Sequence, residues 1–303
     1  MEKSAKNTNK KFIGLSKQEL ALVLITMIWG TTFVTVQQGL TYAGPFCFVG
    51  VRFGLAAFFT ALISLKILKD ITLQEILAGG LIGCCIFFGY SLQTVGLLTI
   101  PSSKSAFIVA MYVPLVPLLQ WLILKKMPSL MSWVGIFLAF AGLVLLAGPE
   151  AGIGIGYGEL LTLISAVAIA LEVVLISLFA GSVDIRRVTV VQLGVTSIIS
   201  FIAIPVTGEE VKAFSWMLLV YAGWLGLASA FIQLMMNWAQ KSVSPTRATL
   251  IYAGEPVWAG VIGRLVGERL PAQAFIGAAL VVAGVIVSEL RIKIKKKAKA
   301  ESV

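Results

Sequence analysis

Glu172 and Glu255 both stand inside long apolar stretches of the chain. An ionised group at the centre of a bilayer costs at least ~2.5–3.5 kcal/mol, so it normally faces a cavity or a partner. Glu172 is flanked by Ala170, Leu171, Val173 and Val174. A carboxyl in that setting can load and release a proton as water reaches it, and Glu172 and Glu255 are the candidate proton-coupling residues. Arg52 is a further charge inside an apolar run and a candidate partner for Glu255. Glu255 immediately precedes Pro256. Proline removes a backbone N–H and frees the carbonyl four residues earlier, here that of Tyr252. Pro114, with Pro117 beside it, repeats this arrangement earlier in the chain, which makes Pro114 and Pro256 candidate hinges.

Two cations add a second kind of chemistry. Lys104 and Arg247 fall at the starts of two apolar runs, where the unpaired N–H groups of a helix already favour anions. A carboxylate-bearing solute would be drawn to both; the alternative is that they snorkel to headgroups. Polar and aromatic side chains inside the runs complete the candidate solute-binding set: Trp29, Thr32, Tyr90, Gln93, Tyr112, Gln233, Asn237, Trp238 and Tyr252. Tyr90 and Gln93 share a helical face, as do Gln233 and Asn237.

Other chemistries are excluded. The chain has no histidine, which removes Ser-His-Asp and Cys-His catalysis and His-based relays. Cys47, Cys84 and Cys85 lie in apolar runs without metal-ligand spacing and read as small packing residues. The glycines of 151–158 lack the Lys-Ser/Thr of a phosphate loop and follow no strand. Nothing in the sequence calls for a metal or a cofactor.

The elements that must hold these residues follow from composition. Of 303 residues, 58% are hydrophobic and 13% charged, against about 25% charged in a soluble domain. A water-soluble globule could not bury so much apolar surface, and a disordered chain would be polar. Ten runs have the length of about 20 residues that a helix needs to cross a bilayer. They cover 18–39, 44–66, 73–97, 103–124, 130–148, 158–180, 188–206, 215–237, 245–266 and 272–290. Barrel strands would alternate in polarity, and these runs do not. The fold class is therefore an all-α polytopic membrane protein of ten transmembrane helices.

Charge placement orients the chain. With both termini cytoplasmic, 19 of the 24 Lys and Arg residues fall inside and only Lys104, Lys212, Arg264 and Arg269 outside. The net charge of +10 thus points to a membrane surface and to lipid as a partner rather than to nucleic acid. The basic C-terminal run anchors the last helix.

The runs repeat. Ala106, Pro114, Gly135 and Gly142 recur as Ala248, Pro256, Gly277 and Gly284, each 142 residues later. The chain divides into a cytoplasmic tail (1–17), a five-helix repeat (18–148), a Gly-rich connector (149–157), a second five-helix repeat (158–290) and a basic tail (291–303). An odd number of spans per repeat makes the two enter the membrane in opposite senses. Inverted repeats around a central cavity are a transporter design, because equivalent halves can exchange conformations.

The stretches Ile28-Trp29-Gly30-Thr31-Thr32-Phe33, Val51-Arg52-Phe53 and Glu255-Pro256-Val257-Trp258-Ala259, with Gly267-Glu268 after the last, resemble the EamA family of the drug/metabolite transporter superfamily. The resemblance covers 18–147 and 157–290. It implies a ten-helix inverted-repeat bundle in the bacterial inner membrane, not an enzyme. It implies a small-molecule substrate: transport of small metabolites, often export of amino acids or related compounds. Alternating access is the expectation from the inverted repeat, with protons, through Glu172, as the candidate coupling ion. An amino-acid-like or carboxylate-bearing metabolite is the expected cargo. A broad-specificity drug exporter and an uncoupled channel or facilitator are the alternatives.

Overall fold

The computed structural model describes residues 15–100, 102–147, 156–265 and 272–288, and the side chains of most of them. Residues 1–14 of the first tail, all of the second tail, most of the connector and the side chains of Lys104 and Arg264 lie outside the described part. Twelve helices account for the described chain. In the first half they are α1 (Lys17–Gly39), α2 (Pro45–Leu68), α3 (Leu73–Gly96), α4 (Ser102–Val109), α5 (Tyr112–Leu124) and α6 (Leu130–Ala147). In the second they are α7 (Tyr157–Phe179), α8 (Ile185–Thr207), α9 (Trp216–Ala239), α10 (Pro245–Tyr252), α11 (Glu255–Leu265) and α12 (Ala272–Ser288). Six of them (α1, α2, α3, α7, α8 and α9) are long and apolar enough to cross a membrane.

The helix starts are written locally. Ser16 and Glu19 form a capping box at α1, and Thr72 and Glu75 another at α3. Pro45 opens α2, where its missing N–H costs nothing. Asp184 caps α8 and Ser244 caps α10.

Two expected spans differ from the reading above. The runs 103–124 and 245–266 are not continuous helices. The first breaks between α4 and α5 at Ala110–Met111, the second between α10 and α11 at Ala253–Gly254. Pro114 and Pro256 are the cause: each ring clashes with the carbonyl four residues earlier, Ala110 and Tyr252, beside the break.

The two halves interdigitate. α3 packs on α7 and α8 of the other half, and α9 packs on α1 and α2. α2 also packs on α8, and α6 on α12. Lipid tails give no hydrophobic drive for helix association, so close backbone approach over small residues carries it. A methyl group on Gly83 of α3 would lie 2.6 Å from the Gln192 carbonyl of α8. One on Gly226 of α9 would lie 3.0 Å from the Arg52 carbonyl of α2. On α6, Gly135 stands opposite Gly284 and Gly142 opposite Gly277, so α6 and α12 run antiparallel.

Polar groups at the ends tie the halves together. Glu75 accepts from the Asp184 N–H (2.9 Å) and pairs with Arg187 (3.0 Å) at the start of α8. Glu209 accepts from the Phe46 and Cys47 N–H groups (2.8 and 2.9 Å) at the start of α2. Large apolar side chains such as Ile63, Phe137 and Phe275 are exposed, as a lipid-facing surface requires.

Candidate functional site

A cavity lies where the halves meet. Its walls come from the C-terminal stretches of α1 (Trp29, Thr32, Phe33, Val36) and α3 (Tyr90, Gln93, Thr94). Arg52 of α2 and Ile169 and Val173 of α7 add to them. Both broken helices present their breaks to it: Val109 ends α4 and Tyr112 begins α5, while Tyr252 ends α10 and Glu255 begins α11. A broken helix leaves backbone polar groups without intrahelical partners, which suits a cavity wall and nothing facing lipid.

Arg52 is 3% exposed. Its Nε donates to Ser229 Oγ of α9 at 2.9 Å. The guanidinium lies 5.0 Å from the centre of the Tyr90 ring and 5.1 Å from that of Phe53. Among the described residues no carboxylate forms an ion pair with it. An aromatic bed and one fixed hydrogen bond hold such a planar cation in place with donors left for a carboxylate. Glu255 lines the same cavity, so one wall offers a cation and another a carboxylate. Trp29 and Tyr252 meet edge to face with ring centres 5.2 Å apart and supply apolar wall between them.

Glu172, Gln233 and Asn237 lie elsewhere, in a closed cluster of α7, α8 and α9. Gln233 Nε2 donates to Glu172 Oε1 at 2.7 Å. Gln192 Nε2 donates to Gln233 Oε1 at 2.7 Å. Asn237 Nδ2 donates to Gln192 Oε1 and Thr189 Oγ1, both at 3.2 Å. Beyond them, Gln240 accepts from Ser177 Oγ (2.9 Å) and donates to the Tyr252 hydroxyl (3.2 Å). Tyr252 therefore lines the cavity and bonds Gln240 at once.

Residues 16–148 and again 156–290 each match the EamA-like transporter family. The chain belongs to that family. It is an integral membrane protein and a transporter. An "uncharacterized transporter" of Archaeoglobus fulgidus is 29% identical over 277 residues, 90% of this chain and 86% of that one. The "uncharacterized inner membrane transporter YedA" of Escherichia coli K12 is 28% identical over 284 residues, 89% and 90% of the two chains. A solved crystal structure shares the fold, with a TM-score of 0.74 at 18% identity over 90% of this chain and 98% of that one.

Within this EamA-like transporter, seven residues singled out from sequence share the cavity: Trp29, Thr32, Tyr90, Gln93, Tyr112, Tyr252 and Glu255. Glu172, Gln233 and Asn237 share the closed cluster instead. Trp238 is half-buried against the apolar core. Lys104 lies in the first turn of α4. Arg247 in α10 pairs with Glu19 of α1 at 2.9 Å and donates to the Val285 carbonyl and Ser288 Oγ of α12. Pro114 and Pro256 follow the two breaks. Sequence reasoning passed over Arg52 as a cavity residue, although the cost of an intramembrane arginine was signal enough. It also passed over Thr94 and Gln192; one helical turn from Tyr90 and an amide inside a span were the available hints.

Proposed function

We propose that this transporter is a secondary carrier of the inner membrane that exports a small amino-acid-like metabolite by alternating access, with protons as the coupling ion. The observation that carries this reading is the placement of Arg52 and Glu255 on one cavity that Trp29, Tyr90, Tyr112 and Tyr252 also line. A zwitterion fits that pair: its carboxylate to the guanidinium, its ammonium to Glu255, its side chain against Trp29 and Tyr112.

The transport cycle rests on ten spans arranged as two inverted repeats. Counting α4 with α5 and α10 with α11 as one broken span each supports ten. The antiparallel contact of α6 with α12, in which equivalent glycines exchange partners, supports the inversion. With both termini cytoplasmic, α1 and α3 end at the outer face, and the cavity opens outward. Glu172, bonded to Gln233 in the neighbouring cluster, is the proton site.

Competition in proteoliposomes tests the cargo. A zwitterionic amino acid such as leucine should compete for labelled substrate at least about tenfold better than leucinamide or 4-methylpentanoate, each of which lacks one charge. Equal competition by all three would refute the zwitterion reading and favour a broad drug exporter that binds through the aromatic walls.

A further inference from the structure

α3 of one half and α8 of the other run in the same direction, since Gly79 faces Val191 and Gly83 faces Val195. Thr196 Oγ1 donates to the Gly83 carbonyl at 3.0 Å across this contact. One turn further on, the glycines give way to Phe87 and Phe88, and a groove opens between the two helices. Phe87, Phe88 and Leu92 of α3, Ile202 and Val206 of α8 and Phe46 of α2 line it. Phe88, Ile202 and Val206 are exposed, so the groove faces the bilayer. It lies on the back of the stretch of α3 that sends Tyr90, Gln93 and Thr94 to the cavity. No charged residue lines it, so it cannot serve the zwitterion of the cavity.

One polar group in its wall lacks a partner. Ser91 lines the groove and is 1% exposed, and its hydroxyl has no hydrogen-bond partner among the described residues. A helical serine or threonine ordinarily donates to a carbonyl one turn back, as Thr94 does to Tyr90 at 2.6 Å. The mouth of the groove carries charge. Thr207 ends α8, Gly208 turns the chain in the left-handed conformation (φ 69°), and Glu209 and Glu210 follow. Glu209 is held by the Phe46 and Cys47 N–H groups. Glu210 is exposed and forms no ion pair among the described residues. Lys212 does not neutralise it, because its ammonium donates to the Leu40 and Thr41 carbonyls.

We infer that this groove binds one diacyl phospholipid with a primary ammonium headgroup. One acyl chain lies between α3 and α8, an ester carbonyl accepts from Ser91, and the ammonium group meets Glu210 at the mouth. Each part of the groove selects a part of that molecule. A wedge that closes at the Gly83 contact suits a single flexible chain; a second helix would need a continuous seam of close approach. α3 has 24 residues and is about 36 Å long, against a hydrocarbon layer of about 30 Å. Ser91 precedes the last residue of α3, Gly96, by about 8 Å, which puts it a few Å inside that layer, next to the depth of lipid esters. Two neighbouring carboxylates favour an ammonium group that can donate hydrogen bonds and repel an anionic headgroup. A chain seated there packs on both halves at once and braces the α3–α8 contact behind the cavity.

Native mass spectrometry and thermal melting of the full chain in detergent test this. The purified protein is offered equimolar dioleoyl phosphatidylethanolamine, phosphatidylcholine and phosphatidylglycerol. One ethanolamine lipid should be retained per chain, about threefold in preference to either of the others, and should raise the melting point. Glu210→Gln should erase the preference and keep a retained lipid. Ser91→Ala should weaken retention of the ethanolamine lipid about threefold. Ala203→Phe, which fills the groove, should abolish both retention and the melting shift. Equal retention of the three lipids by the wild-type chain overturns the proposal. So does wild-type preference in Glu210→Gln together with wild-type retention in Ser91→Ala. Those two variants change single side chains without adding bulk, so the test stands even if Ala203→Phe fails to fold. A chain that travels as a dimer with no retained lipid also overturns it, since a second copy then covers the groove. Solute competition at the cavity is measured separately, so either reading can fail alone.

Discussion

Arg52 Nε donates to Ser229 Oγ across 2.9 Å, from α2 of one half to α9 of the other. That bond leaves the terminal nitrogens of the guanidinium as the free end of a side chain otherwise held by two rings. Ser229→Ala should therefore loosen a cation without removing it. The expected result is a KM for a zwitterionic solute raised about tenfold, or ~1.5 kcal/mol, with little change in maximal rate. Arg52→Lys should not restore wild-type affinity, because an ammonium lacks both the planar stack and the fork. Proteoliposome uptake kinetics on the two variants decide this; a wild-type KM in Ser229→Ala would show that the bond does not orient Arg52.

Glu172 is the acidic member of the buried cluster, and its Oε1 accepts from Gln233 Nε2. Glu172→Gln keeps an oxygen for that bond and removes the titrating group. Uptake driven by a pH gradient should be lost, while solute exchange at equal pH persists. Both are measured in the same vesicle preparation. Retained pH-gradient coupling would take Glu172 out of the energy-coupling step.

Gly135 and Gly80 make a matched pair for stability. A methyl group on Gly135 would lie 2.6 Å from the Gly284 carbonyl, whereas one on Gly80 meets nothing within 4 Å. Gly135→Ala should destabilise the chain by about 1–3 kcal/mol through overpacking of α6 on α12. Gly80→Ala should be neutral or stabilising by up to ~1 kcal/mol, since alanine is the better helix former. Thermal melting in detergent distinguishes them, and equal melting points would show that α6 and α12 are not in this contact.

Arg247 links three helices through Glu19, the Val285 carbonyl and Ser288. Its side chain and that of Glu19 are each 12% exposed. Arg247→Ala leaves Glu19 without its charged partner and should cost about 2–4 kcal/mol. A double-mutant cycle with Glu19→Gln should give a coupling of ~1–3 kcal/mol. Unchanged melting in Arg247→Ala, with reduced solute affinity, would favour an entrance role instead.

The long helices were legible in sequence almost to the residue. The run 73–97 became Leu73–Gly96, and 130–148 became Leu130–Ala147 in the described chain. Length of apolar run and a cap at its start are local properties, and a bilayer acts on them locally. The helix breaks were half legible. Pro114 and Pro256 announced a disturbance, but a proline inside an apolar run reads equally as a kink in one helix or a gap between two. Which of these occurs depends on whether neighbouring elements satisfy the freed carbonyls.

The candidate site was split by the structure. Tyr90 and Gln93 went to the cavity, Gln233 and Asn237 to a hydrogen-bonded cluster, although the two pairs lie in equivalent helices and each shares a helical face. Sequence alone determined that this chain crosses a membrane, that it is duplicated and that a few charges must find shelter inside it. Only the tertiary structure decided that Arg52 shelters on an open cavity and Glu172 in a closed network. The reason is physical: both halves match one family model, but where a buried polar group finds its partners is set by which helix faces meet across the halves, and that is not a local property of either sequence.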